Sequence, residues 1–342
     1  MTTGAAVTEP VSLALIGTGR IGTSHARLLA RRVPGARLVA VADPRPAAAE
    51  SLAAELDCRA VRDPATLFDD PAIEAVVIAA SSDAHTDLIL AATAAGKAVF
   101  CEKPMALTLE DADRAVTATE KAGVALQIGF NRRFAAEFAV ARRIVVDGGI
   151  GTPQLLRSVT RDPGLTNPAA VAPWTVFLQT LIHDFDTLLW FNSGANATVV
   201  YATANALVAP EFKNAGLLDT AVVVVTFDNG AIATAEASFA AAYGYDVRGE
   251  VFGSAGMVIM GDSARASVAH YDAGGRHTPT VRSDVELFVD AYAAEFVEFT
   301  DAVRERRAPA VTGRDARRAL QLALASIESV RAGGPVYLDG GA

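Results

Sequence analysis

The chain has 342 residues, of which 51% are hydrophobic and 20% charged. At about 150 residues per domain, this length and composition predict two ordinary globular domains. The net charge of −9 argues against nucleic acid and anionic membranes as partners, because it repels phosphate groups. Two cysteines are too few for a disulfide framework, and residues 1–10 contain no basic side chain and no apolar stretch. We therefore expect a cytoplasmic protein.

The first 130 residues alternate short apolar runs with helical runs, as in a parallel sheet wrapped by helices. Five strands are predicted, namely Ser12–Gly17, Arg37–Asp43, Glu74–Ala80, Lys97–Glu102 and Val124–Phe130. Their continuous apolar character suits strands that are buried on both faces. Gly96 and Gly123 stand where a helix ends in a left-handed residue before the next strand. We predict an α/β, doubly wound domain at residues 1–130.

Residues 131–342 change to long strands with period-two alternation, and Asn229-Gly230 is typical of a hairpin turn. Three helices are predicted, over Thr175–Phe191, Asp284–Arg307 and Gly313–Arg331. This pattern predicts an α+β domain with a large, mostly antiparallel open sheet that helices cover on one side. An apolar second face would be a contact between copies of the chain.

A glycine-rich loop follows the first predicted strand. Its sequence is Gly17-Thr18-Gly19-Arg20-Ile21-Gly22, a G-x-G-x-x-G that opens a helix. Such glycines permit a tight turn and close approach of a pyrophosphate to the helix N-terminus, as in a Rossmann domain. Asp43 ends the second strand, where an acid hydrogen-bonds the adenosine ribose and favours NAD. Arg45 would tolerate the 2′-phosphate of NADP, so NADP remains an alternative.

Polar residues follow the third and fourth strands, at the edge where a doubly wound sheet binds its ligand. Ser81, Ser82 and His85 follow the third strand. Ser82 and the neighbouring Asp83 suit either helix capping or cofactor contacts. His85 lies near the nicotinamide or, as we prefer, is a packed first-turn residue, and His25 is likewise interpreted as a packed helix residue.

Glu102-Lys103-Pro104 ends the fourth strand. Lys103 faces the cofactor crevice or forms a solvated charge pair with Glu102. Together, the glycine loop, the acid after the second strand and the Glu-Lys-Pro motif resemble the glucose-fructose oxidoreductase / inositol dehydrogenase (Gfo/Idh/MocA) family. The resemblance covers nearly the whole chain. It continues at Ile128–Phe134, and Ile182–Asp186 and Tyr243–Arg248 are similar to the myo-inositol 2-dehydrogenase branch.

The resemblance implies hydride transfer between a nicotinamide and a carbinol carbon of a polyol or sugar. It places Lys103 near the reacting oxygen and makes His183 the acid/base, which suits an imidazole with a pKa near neutrality. The implied cofactor residues are Gly17, Gly19, Arg20, Ile21, Gly22, Asp43, Arg45, Ser81, Ser82, His85, Glu102 and Lys103. The implied substrate residues are Asn131, Arg161, Asp162, Trp174, Gln179, His183 and Tyr245. Homodimers or homotetramers built on the open sheet are also implied.

The chain departs from the family pattern before His183. The family usually has an aspartate four residues earlier, one helical turn away, and this chain has Gln179. Trp174 replaces a glycine-rich stretch and either borders the substrate or packs under the loop. These changes leave two alternatives: reduction of a ketone or imine, and a non-catalytic dinucleotide sensor, against which the retained Lys103 and His183 argue. Asp184 and Asp186 are interpreted as helix-face or substrate-contact groups, and the histidine spacing predicts no metal site.

Overall fold

The computed structural model describes residues 9–165, 167–261 and 268–338. Contacts divide the chain into two compact units. The first comprises the described part of Met1–Asn131 with Asp290–Arg317, and the second the described part of Arg132–Val289 with Arg318–Ala342. The domain boundary at residue 130 remains a prediction. That prediction did not include the later segment, residues 290–317, which belongs to the first unit. Most of the N-terminal stretch used for the prediction of location lies outside the described residues.

The first unit contains a six-stranded parallel sheet in the order β3-β2-β1-β4-β5-β6. Its strands are β1 (Val11–Ile16), β2 (Ala36–Ala42), β3 (Arg59–Val61), β4 (Ala75–Ile78), β5 (Ala98–Cys101) and β6 (Leu126–Ile128). Its helices include α1 (Arg20–Arg31), α2 (Pro46–Leu56), α3 (Ala65–Phe68), α4 (His85–Ala94) and α5 (Leu109–Ala122). The predicted doubly wound fold is confirmed. Strand β3 escaped prediction because its three residues form no apolar run.

The core of this unit explains the strand pattern. Every residue of β1, β4 and β5 is buried, as expected for strands covered on both faces. Gly96 and Gly123 adopt left-handed φ values of 71° and 66°, which confirms their predicted place before β5 and β6. Phe296 and Phe299, from the returning segment, pack against Phe100 of β5 with ring centroids 4.7 and 5.9 Å apart. This contact places residues 290–317 in the first unit.

The second unit is built on a seven-stranded sheet in the order β12-β11-β7-β10-β9-β8-β15. Its strands are β7 (Pro153–Arg161), β8 (Ala197–Asn205), β9 (Thr220–Phe227), β10 (Ile232–Ser238), β11 (Asp246–Gly253), β12 (Gly256–Met260) and β15 (Val336–Tyr337), and a separate hairpin pairs β13 (His270–Asp272) with β14 (Gly275–His277). Strands β7 and β10 pair in parallel, and the other neighbouring pairs are antiparallel. The predicted mostly antiparallel sheet and the turn at Asn229-Gly230 are confirmed.

The remaining helices follow the predicted segments with one addition. They are α6 (Ala136–Val146), α7 (Ile182–Phe191), α8 (Asp284–Leu287), α9 (Val289–Glu305) and α10 (Gly313–Ala332), with a π-helix over Val176–Leu181. The sequence interpretation missed α6. The boundary between the units falls within α10. Among the described residues, no helix combines the length and apolar character needed to cross a membrane.

Candidate functional site

The glycine loop connects β1 to α1, and the structural constraint differs among its three motif glycines. Gly17 has φ +98°, and a Cβ there would lie 2.5 Å from a backbone oxygen. A Cβ on Gly22 would lie 1.9 Å from the carbonyl oxygen of Gly17. A Cβ on Gly19 would meet no atom within 4 Å, and no side chain caps α1 at this position. The first-turn N–H groups of α1 therefore fit a pyrophosphate. Arg20 and Ile21 are the first two residues of that helix.

Asp43 is held by the glycine loop and by its own strand end. Its carboxylate accepts hydrogen bonds from the Thr18 backbone N–H at 2.8 Å and the Thr18 hydroxyl at 2.9 Å. The backbone N–H and Nε of Arg45 donate to it as well, both at 2.9 Å. The Arg45 guanidinium, helped by Thr18, holds the pKa of Asp43 well below its usual range. Asp43 is therefore an ionised acceptor that fixes the loop, and the exposed Arg45 side chain covers it.

The turn after β4 differs from the predicted capping. Ser82–Ala84 forms a 3-10 turn, Ala84 occupies the N-cap of α4, and neither turn has a capping side-chain hydrogen bond. Of the two alternatives for Ser82 and Asp83, the structure does not support capping of α4 by their side chains, and cofactor contacts stay a prediction. The hydroxyl of Ser81 bonds Asp83 instead and lowers its pKa.

His85 is 1% exposed and lies between two backbone carbonyl groups. Its Nδ1 is 2.8 Å from the oxygen of Pro104, and its Nε2 is 3.1 Å from the oxygen of Ala80. The ring thereby ties the segment after β4 to the segment after β5. These contacts favour the packed interpretation of His85, and its contact with a cofactor stays a prediction.

Lys103 follows β5 and is half-buried. The preceding Glu102 turns inward, where its Oε1 lies 2.6 Å from Nε2 of the fully buried His25. The other oxygen of Glu102 accepts the backbone N–H of Lys103 at 3.2 Å. The carboxylate of Glu102 is therefore bound to α1 and to the backbone of Lys103, which differs from a solvated pair of side-chain charges.

Gln179 and His183 lie on a helix that changes its winding. Residues Val176–Leu181 form a π-helix, and α7 continues from Ile182. Both side chains are half-buried, and the Thr187 hydroxyl donates to the backbone oxygen of His183 at 2.8 Å. Because a π-helix bonds residues five apart, four residues fall short of a full turn. The α-helical turn assumed between Gln179 and His183 is therefore wrong for this stretch.

Trp174 precedes the π-helix in a left-handed conformation, with φ +62°. Its backbone N–H donates to the oxygen of Gly216 at 3.0 Å. The guanidinium of Arg331 lies 4.7 Å from the Trp174 ring centroid, and the Phe177 ring lies 6.5 Å away. These contacts supply the packing that was one of the two predicted roles for Trp174. Contact with a substrate stays a prediction.

Asp184 and Asp186 are fully buried in ion pairs. Asp184 accepts from Arg132 at 2.8 Å and from the Ser158 hydroxyl at 2.5 Å. Asp186 accepts from Nε of Arg133 at 2.9 Å. The interpretation of both aspartates as helix-face or substrate groups is therefore corrected: they fasten α7 to the segment after β6 and to β7 of the second unit.

The other predicted substrate residues occupy three environments. Asn131 is 3% exposed and begins a 3-10 turn over Asn131–Phe134. Arg161 is paired with carboxylates of β10 and β11, at 3.4 and 3.3 Å. Burial raises the pKa of Tyr245, and the adjacent Asp162 raises it further. Tyr245 is therefore a neutral phenol bonded to Asp162, and the substrate contacts of these residues stay predictions.

Two clusters were missed from the sequence, one because its members are distant along the chain and one because its members meet only when a hairpin forms. His25, Glu102 and Glu295 each offer a ligand-type atom, and these atoms lie within 4.8 Å of one another. In the exposed hairpin, His277 Nε2 lies 3.0 Å from Asp272 Oδ1. Because His270 pairs opposite His277, the two histidines and Asp272 lie together in this hairpin. The spacing of the histidines in the sequence had indicated no acid cluster near a histidine pair.

The fold and the loop define a dinucleotide-binding α/β protein. A glycine loop opens a helix at the carboxyl edge of a parallel sheet, with an ionised acid at the end of the adjacent strand. Residues 11–130 match the oxidoreductase family with an NAD-binding Rossmann fold, and residues 138–259 match the GFO/IDH/MocA C-terminal domain. The chain belongs to the Gfo/Idh/MocA family of NAD-dependent oxidoreductases, as the motifs indicated.

Relatives match along nearly the full length. The chain is 36% identical to the scyllo-inositol 2-dehydrogenase (NAD(+)) of Bacillus subtilis, covering 96% of each chain. It is 37% identical to the myo-inositol 2-dehydrogenase of Thermotoga maritima, covering 96% of this chain and 98% of the relative. The scyllo-inositol dehydrogenase of Lactobacillus casei, solved with NAD(H) and scyllo-inositol, superposes with TM-score 0.92 at 27% identity, covering 96% of this chain and 99% of the other.

Proposed function

We propose that the protein oxidises a ring hydroxyl of an inositol or a similar polyol and passes the hydride to NAD. The observation that carries the proposal is the full-length similarity to inositol dehydrogenases in a chain that retains both Lys103 and His183. The proposed NAD-binding groups are the first turn of α1, Asp43 and the strand-end residues Ser81 and Ser82. When bound, the nicotinamide supplies the hydride acceptor.

Two side chains carry the proposed proton and charge chemistry. His183 takes the proton of the reacting hydroxyl, since oxidation of an alcohol to a carbonyl requires its removal. The ammonium group of Lys103 stabilises the negative charge that develops on that oxygen. Gln179 orients the substrate hydroxyl or the imidazole, because its amide has both a donor and an acceptor.

The experiment is a paired screen that follows reduced nicotinamide by absorbance. Inositol isomers and sugars are offered with NAD, and ketones and imines with NADH. Oxidation of a cyclitol with NAD supports the proposal. Reduction of a carbonyl compound without oxidation of any polyol would favour the reductase, and binding of NAD without turnover would favour a sensor.

A reductase is the second candidate function, because Gln179 and Trp174 depart from the family pattern in and just before the helix that carries His183. Gln179→Asp separates the two interpretations. If Gln179 recognises the native substrate, we expect turnover of the best substrate to fall about tenfold without improved oxidation of myo-inositol. If the glutamine only weakens the histidine, a carboxylate raises the pKa of His183, and the acid limb of the pH profile moves upward. A large gain in inositol oxidation would contradict the recognition role.

The proposal includes a homodimer or homotetramer formed through the open sheet. Leu155 pairs with Ile232 on one side and with Phe252 on the other, and these side chains are 53%, 44% and 42% exposed. Such a contiguous apolar row favours burial against another copy. Leu155→Glu should lower the mass measured by light scattering to that of a monomer. A monomeric mass for the unaltered protein at micromolar concentration would contradict the proposal.

A cytoplasmic location is also proposed. Cys58 and Cys101 are both free thiols, which fits a reducing compartment. Fractionation of producing cells tests the location independently of the activity.

A further inference from the structure

Glu295 of α9 is a buried acid that the proposed chemistry does not use. Its relative exposure is 0%, and neither carboxyl oxygen has a hydrogen-bond partner among the described residues. Its backbone is held firmly, because the Gln127 side-chain amide donates to the Glu295 carbonyl oxygen at 2.8 Å. An unpaired buried carboxylate is costly, so the position calls for a physical explanation.

Glu295 shares its surroundings with one imidazole and one other carboxyl group. Ligand-type atoms of His25, Glu102 and Glu295 lie within 4.8 Å of one another. Aromatic rings enclose the site: Tyr292 and Phe296 lie 5.1 and 4.9 Å from the His25 ring. Charges in such a dry site interact far more strongly than in water.

The two carboxyl groups divide the charge unequally. Burial opposes ionisation of Glu102, but the hydrogen bond and charge of His25 outweigh it and lower its pKa. Burial, together with the charge of Glu102, raises the pKa of Glu295 well above its ordinary value. Two carboxyl groups this close in an apolar site do not both ionise. Glu102 therefore carries the negative charge, and Glu295 is neutral.

Glu102 connects this cluster to Lys103. One carboxylate oxygen meets His25 on α1, and the other accepts the Lys103 backbone N–H. We propose that Glu295 is a positioning residue: its neutral carboxyl group fills the polar space beside the ionised Glu102, and Glu102 then holds Lys103 in register with α1. The role of Lys103 in this inference rests on the proposed function.

A bound metal ion is the competing use of the same three residues. The direct approach of His25 Nε2 to Glu102 Oε1, at 2.6 Å, argues for a hydrogen bond between them rather than for shared ligation. Elemental analysis of the purified protein decides this point. A stoichiometric transition metal that is lost in Glu295→Gln would overturn the proposal.

The test compares Glu295→Leu with Glu295→Gln, which keeps the shape of the neutral acid and a donor. With inositol and NAD, we expect Glu295→Leu to lower kcat about tenfold or more, with a smaller change in the KM for NAD, because the reacting group is displaced. Glu295→Gln should recover most of the lost kcat. The matched control is Glu305→Leu on the exposed end of α9, which should behave like the unaltered protein. Equal losses in the Gln and Leu variants would overturn the proposal.

Two readouts do not depend on turnover, so failure of the proposed function is distinguishable from failure of this inference. The infrared difference spectrum of unaltered protein minus Glu295→Gln, near neutral pH, should contain the C=O band of a protonated carboxyl group. Hydrogen exchange of the Lys103 amide should quicken in Glu295→Leu and stay slow in Glu295→Gln. A carboxylate band, or unchanged exchange in Glu295→Leu, would contradict the positioning role even if no cyclitol is oxidised.

Discussion

The glycine loop of the first unit and the His183 helix of the second unit hold their polar groups by different means. In the loop, Thr18 donates two hydrogen bonds to Asp43 across the ends of two adjacent strands, and Gly17 and Gly22 permit the close approach of the backbone. In the helix, buried ion pairs to Arg132 and Arg133 fasten α7. The arrangement of the loop is encoded by a short sequence motif, whereas that of the helix depends on partners about 50 residues away in the sequence. A motif therefore specifies the glycine loop better than the helix that carries His183.

The largest expected effect concerns chemistry without loss of structure. Lys103→Ala should lower kcat about 10²-fold or more, because the charge that we propose stabilises the developing oxyanion is removed. The KM for NAD should change little, since the glycine loop keeps its own bonds. Steady-state kinetics check the effect, with the exposed Lys121→Ala as the control. Near-normal activity in Lys103→Ala would return this lysine to the role of a solvated charge.

Asp43→Ala tests whether the loop is as self-contained as its bonds indicate. We expect the KM for NAD to rise about tenfold, since each hydrogen bond to a charged group contributes about 1.5–3 kcal/mol. The KM for NADP should stay equal or fall, because Arg45 is freed from Asp43. Asp87→Ala, on the exposed side of α4, is the control. Equal weakening of both cofactors would contradict a ribose contact at Asp43.

A pH experiment asks whether a residue that is remote in sequence, Glu295, also matters in the first unit. The folded-state pKa of Glu295 is raised above its ordinary value of 4.5. The contribution of the neutral carboxyl group to the free energy of unfolding is then fully present below pH 4.5, and it is lost as the pH rises through the folded-state pKa. Glutamine at position 295 cannot ionise. The melting temperature of Glu295→Gln should therefore rise relative to that of the unaltered protein as the pH increases from about 5 to about 9. A constant difference across this range would contradict a neutral Glu295.

The smallest effect is expected in the second unit, at the left-handed Trp174. Trp174→Gly removes the strain of a side chain at positive φ, whereas Trp174→Ala keeps it, and both lose the contact with Arg331. Trp174→Gly should therefore be more stable than Trp174→Ala by about 1 kcal/mol in urea unfolding. An alanine variant as stable as the glycine variant would show that the backbone relaxes there.

The sequence predicted what depends on local order and missed what depends on distance. Apolar runs, the glycine loop and the Asn229-Gly230 turn were correctly predicted because each is encoded within a few residues. The burial of Asp186 was missed, since an acid on a helix is usually solvated and its Arg133 partner is far along the chain. Glu295 gave no signal for the same reason. The π-helix before His183 was misinterpreted as α-helical because periodicity does not distinguish these windings over six residues.

The return of residues 290–317 to the first unit has a consequence for synthesis of the chain. The rings of Phe296 and Phe299 that cover Phe100 emerge from the ribosome only after the strands up to β14 have been made. At about 5–20 residues per second, this delay is on the order of ten seconds. The second unit must wait as well, for β15 and most of α10. The first unit is incomplete until residues 290–317 have been made, and the second until β15 has been made. An amino-terminal fragment that ends at Asn131 therefore leaves apolar core surface uncovered.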